Sequence, residues 1–145
     1  MNYQALKTEI DTGPLAAECA GKSDDEIAAI LNAPRFSMIR SRFVTVRTML
    51  AELPGTGAIV TKLDTAAESI PEVREALRYL RGETGIDIGH PGTIAQLDAL
   101  AAGEVLTLEE ATGLKSMALQ PASRADILGW PAISYNDVNA ARAAL

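Results

Sequence analysis

The chain is poor in the residues that most often carry chemistry. Its 145 residues include one cysteine and one histidine. Cys19 alone closes no intramolecular disulfide, which excludes a secreted scaffold built on cross-links. His90 alone leaves no two-histidine metal site. Aromatic residues make up only 4%, so the core has few large anchors. No apolar run approaches the roughly 20 residues that span a bilayer. The start, MNYQALKTEIDTGPL, lacks the basic stretch and apolar run of a signal peptide, and a reducing, soluble compartment is the expected setting. Positive charge is also scarce: 13 Lys and Arg stand against 19 Asp and Glu, a net of −6. That balance argues against the basic face with which proteins displace counterions from duplex DNA.

What is present is the composition of a folded domain, 48% apolar and 22% charged. The apolar share rests heavily on alanine, which suits close contacts between helices. Helix starts are the clearest local signals. Ser23 with Glu26, Ser69 with Glu72 and Thr107 with Glu110 have capping-box spacing, in which hydroxyl and carboxylate each satisfy a free amide. Ile27, Ala28 and Leu31 follow the first, and Val73, Ala76, Leu77 and Leu80 the second. Ala111, Leu114 and Ala118 follow the third. Pro71 suits a first helical turn, and Gly82 stands where a helix end favours positive φ. Weaker patterns predict helices over Tyr3–Ile10, Thr56–Glu68 (capped at Thr56), Thr93–Ala102, Ala122–Leu128 and from Ser134 onward.

The expected fold is therefore all-α, a small multi-helix bundle with glycine- and proline-rich connecting loops. It is read as one helical domain over 1–145, or as two lobes, 1–82 and 93–145, joined by the loop 83–92. One segment stays open. Arg42-Phe43-Val44-Thr45-Val46 is β-branched enough for a short strand, while Ile39, Val46, Leu50 and Leu53 fit one long helical face.

Candidate chemistry is thin. Beside Pro91 in a glycine-rich loop, His90 reads as a turn residue rather than a base. Cys19, with Glu18 before it and no cation close in sequence, reads as a small apolar filler rather than a nucleophile. Gly55-Thr56-Gly57 and the glycines at 85, 89 and 92 match no phosphate-binding spacing and read as turns. The acidic pairs Asp24–Asp25 and Glu109–Glu110 fall in first helical turns, where they complement the helix dipole. No catalytic, cofactor or metal-ligating residue is assigned. Charge distribution is the uneven feature: residues 35–47 hold Arg35, Arg40, Arg42 and Arg47 and no acid, beside an acidic stretch over 1–34. These arginines suit docking on a protein partner or, as a sharper reading, contact with nucleic acid. Trp130 reads as a cover on the core or as a partner-binding anchor.

At both ends the chain resembles a family of short, largely uncharacterised tailed-bacteriophage proteins. The residues that carry the likeness are Ala5-Leu6-Lys7 with Glu9, Ala20-Gly21-Lys22-Ser23-Asp24, and Leu31-Asn32-Ala33. Near the other end they are Ser123-Arg124-Ala125, Leu128-Gly129, Asp137-Val138 and Ala140-Ala141-Arg142. Residues 48–100 depart from that pattern. Family members are encoded among virion structural genes near the tail. The resemblance thus implies a non-enzymatic virion component (tail, neck or fibre-associated), needing no cofactor and assembled in many copies with other virion proteins. Its location would be the virion, and the host cytoplasm during assembly. The alternatives are a soluble phage regulator or inhibitor of a host protein, and a small nucleic-acid-binding module. Arg35 to Arg47 and the helix after Ser134 are the expected docking elements.

Overall fold

A computed structural model describes residues 1–144, which form ten helices and four short strands. The first elements are α1 (Tyr3–Thr12), α2 (Ala16–Cys19), α3 (Asp24–Asn32) and strand β1 (Phe36–Ile39). Next come β2 (Phe43–Val44), α4 (Val46–Glu52), α5 (Thr56–Ala67), α6 (Pro71–Leu80) and β3 (Ile86–Asp87). Then follow α7 (Pro91–Ala102), α8 (Leu108–Ser116), β4 (Leu119–Ala122), α9 (Arg124–Ile127) and α10 (Tyr135–Ala143). The terminal helix expected from Ser134 is present through Ala143; Leu145, included in that expectation, lies outside the described residues.

Ser23 and Thr107 open α3 and α8 with complete capping boxes, and Ser123 and Ser134 do the same for α9 and α10 with Asp126 and Asp137. The third box expected from sequence does not form. Pro71 occupies the first turn of α6 and forces the residue before it into extended backbone, so Ile70 (φ −115°, ψ 102°) becomes the cap. Ser69 instead completes the turn after α5, its amide reaching the Ala66 carbonyl at 3.1 Å. Thr56 is not a cap either. Gly55 caps α5 in the left-handed region (φ 80°), while the buried Thr56 hydroxyl donates to the Met49 and Leu53 carbonyls at 2.8 and 2.7 Å. Gly82 is not among the positive-φ residues; α6 ends on Arg81 in right-handed backbone.

The fold is mostly helical but not purely all-α. Strand β1 pairs with β4, and β2 pairs antiparallel with β3, Phe43 opposite Asp87 and Val44 opposite Ile86. This closes the question over 42–46: a strand comes first, then Thr45 caps α4 by accepting the Thr48 amide at 3.2 Å. The glycines of the 85–92 segment make the pairing possible. A Cβ on Gly85 would lie 2.2 Å from the Val44 carbonyl oxygen, and one on Gly89 would lie 1.9 Å from that of Arg40. Backbone packs there so closely that only hydrogen fits.

Two compact units divide the chain: residues 1–38 with 121 onward, and residues 39–120. The segment 83–92, expected as a link between lobes, lies wholly inside the second unit. In the first unit α10 packs on α1 and α3, with Leu6, Ile27, Leu31 and Val138 fully buried. In the second, α5 packs along α6, α7 along α8, and α4 against α5, around Val44, Met49, Ile59 and Leu106.

Candidate binding cleft in the second unit

The arginine cluster read from the sequence is divided between the units. Arg35 belongs to the first, where it is exposed and paired with Glu18. Arg40, Arg42 and Arg47 belong to the second. Arg42 is structural: its guanidinium bonds Glu52 at 2.7 Å and the Met117 carbonyl at 2.8 Å. That hydrogen bond holds the Glu52 carboxyl below the usual glutamate range and raises the arginine further. Arg40 is half-buried, and its amide donates to the Ala118 carbonyl at 3.0 Å. Arg47 is exposed on α4. Trp130 is half-buried against the core of the first unit, its amide bonded to the Ala125 carbonyl at 2.9 Å. The helix after Ser134, expected as a docking element, buries Val138 and Ala141 completely in the first unit.

The two residues weighed for catalysis have structural places. Cys19 is 2% exposed; burial, then the Glu18 and Glu9 carboxylates, push its thiol pKa up against the pull of Arg142. His90 caps α7, its Nδ1 accepting the Gly92 amide at 3.0 Å. Among the described residues no three His, Cys, Asp or Glu side chains cluster as a metal site.

The feature that sequence reading missed is an apolar cleft of about 440 Å³ inside the second unit. Helix α6 packs on α5 and on β3, whereas α7 packs on α8. Both helices contribute side chains to the lining. Val73, Ala76, Leu77 and Leu80 line it from α6, at spacings that keep them on one face. Thr93, Gln96, Leu97 and Leu100 line it from α7, and Met49, Leu63, Ile86, Ile88 and Leu114 add further aliphatic surface. No aromatic ring contributes to the lining, and Glu72 is its one charged side chain. Glu72 and Gln96 are exposed and Thr93 half-buried, which places the polar groups at the mouth. The arginines that share α6 with Glu72 are engaged elsewhere or just beyond. Arg74 Nε donates to the Ala67 carbonyl at 3.1 Å, Arg78 pairs with Glu75 at 3.7 Å, and Arg81, next after the helix, holds Asp64 at 2.6 Å.

The volume falls within the range of small-molecule sites, roughly 300–1,000 Å³, as does the combination of an apolar interior with a few polar groups. Close-packed interiors rarely hold voids much larger than one water. This space is many times what a single water needs, and its aliphatic walls offer water almost no hydrogen bonds. Comparison with protein-family models, curated proteins and solved structures finds no match for this chain.

Proposed function

We propose that the chain is a non-enzymatic binding protein whose working site is the cleft between α6 and α7. The carrying observation is the cleft itself, a space of about 440 Å³ lined by the apolar faces of α6 and α7. Filling it removes aliphatic surface from water. For a neutral eight-carbon chain, about 0.8 kcal/mol per carbon sets an upper bound of ~6.4 kcal/mol, hence a dissociation constant on the order of 20 µM or weaker. Titration calorimetry with hexanol, heptanol and octanol tests the reading. Each added methylene should tighten binding about fourfold. Ala76→Leu, which pushes a larger side chain into the gap, should weaken octanol at least tenfold and leave the melting temperature unchanged or raised. Failure of octanol to bind, or binding indifferent to Ala76→Leu, overturns the reading.

A second reading, as a bacteriophage virion component seated on other virion proteins, is favoured by where the resembling residues fall. Those from Ala5 to Ala33 and from Ser123 to Arg142 all belong to the first unit, while residues 48–100 lie in the second, with the cleft. On this reading the first unit attaches and the second binds. The protein composition of purified particles tests it: stoichiometric copies support it, and absence from particles removes it.

A further inference from the structure

The chemistry of the cleft selects among guests. No ring is available for stacking, so a guest gains here by apolar burial alone, which an alkyl chain supplies along its length. At the mouth the polar groups are a carboxylate, Glu72, a hydroxyl, Thr93, and an amide, Gln96. Among the described residues Glu72 has no ion-pair partner, while Arg74 reaches the Ala67 carbonyl, Arg78 lies beside Glu75 and Arg81 holds Asp64. At Glu72 an anionic head group would meet a like charge, offset only in part by the first-turn amides of α6 and α7, whereas a cationic one would meet its complement.

We propose that the cleft takes a single-chain aliphatic amphiphile with a cationic, hydrogen-bond-donating head, the chain lying between α6 and α7 and the head at Glu72. This inference rests on the cleft being a binding site, and the test separates the two. The pure, full chain is titrated at neutral pH with octylammonium and octanoate below their micelle concentrations and with octanol below its solubility limit. An exposed ion pair is worth up to about fivefold in affinity, and a like-charge contact costs a similar factor. Octylammonium should bind on the order of tenfold more tightly than octanoate, with octanol between them. Glu72→Gln should bring that ratio close to one while octanol binding persists. Glu109→Gln, which removes an equal charge on α8 away from the cleft lining, should leave the ratio intact and so separate Glu72 from the chain's net charge. Octanol binding with octanoate equal to or tighter than octylammonium overturns the head-group assignment and leaves the binding site standing. A ratio unchanged by Glu72→Gln does the same. If no eight-carbon probe binds but an amphipathic leucine–lysine peptide does, and loses affinity in Ala76→Leu, the guest is a partner helix and this proposal is wrong.

Discussion

Asp87 is a single side chain on which a whole loop depends. Its carboxylate accepts the Ser41 hydroxyl at 2.6 Å, the Arg42 amide at 2.9 Å and the Gly89 amide at 3.0 Å. The Ser41 bond leads the effects that hold this carboxyl below the usual aspartate range, against a smaller cost of desolvation. A folded-state pKa below the unfolded one means that the native chain takes up the proton less readily. The contribution is then present in full above the unfolded aspartate value near 3.9, and is lost as pH falls through the lower folded value. Asp87→Asn should accordingly lose less melting temperature than the parent between pH 5 and pH 2; an equal or greater loss would show that the carboxylate is not acid-sensitive in this way. Two residues on, Gly89→Ala should cost about 3 kcal/mol in urea unfolding. Its new methyl would meet the Arg40 carbonyl oxygen at 1.9 Å, an overpacking against backbone that is relieved only by shifting the chain. Arg42 belongs with these residues. Exchanging it for glutamate would set a like charge against Glu52 and orphan the Met117 carbonyl, so such a variant reports on folding rather than on docking. Arg47, exposed on α4, is the cleaner probe of a basic contact.

At the scale of elements, capping explains both what could be read and what could not. Ser23 and Thr107 begin helices where their spacing to Glu26 and Glu110 says they should. Ser69 has the same spacing to Glu72 and fails, because the restriction that Pro71 places on Ile70 outweighs one side-chain hydrogen bond. The two classes separate by mutation: Thr107→Ala should cost about 1 kcal/mol, whereas Ser69→Ala should change stability by no more than about 0.5 kcal/mol, both read from denaturant midpoints. An unchanged Thr107→Ala would mean that the box adds nothing to α8. The apolar face of α6 was equally legible, as Val73, Ala76, Leu77 and Leu80. What lies opposite it was not. Periodicity reports that a face avoids water, not whether its neighbour closes on it, and the segment between α6 and α7 pairs at long range with residues 43–44. A glycine-rich stretch looks the same in sequence whether it is a free link or a segment pressed against another backbone. For that reason 83–92 read as a joint between lobes, and the strands at 43–44 and 86–87 could not be paired in advance.

For the molecule as a whole, the division into units has a consequence that can be measured. Each unit has its own buried cluster: Leu6, Ile27, Leu31 and Val138 in the first, Val44, Met49, Ile59 and Leu106 in the second. The second unit is one continuous stretch, residues 39–120, and the cleft draws all of its lining from residues 49–114. A fragment spanning 39–120 gives up the β1–β4 pair, whose strands it cuts, but retains its own helix contacts, the β2–β3 pair and the Lys62–Glu110 ion pair at 2.7 Å. It should therefore fold alone and bind octanol within about threefold of the intact chain. In the intact chain, Leu31→Ala removes a fully buried side chain from the first unit, a change that costs about 2–5 kcal/mol. Hydrogen exchange should then show lost amide protection in α1, α3 and α10, with α5 to α8 largely spared. If exchange instead rose equally in both units, and the fragment stayed unfolded, the two cores would be one cooperative structure. Octanol binding would then depend on residues of the first unit as well. Retained protection over α5 to α8, with octanol binding intact in the same Leu31→Ala sample, would place recognition in the second unit alone.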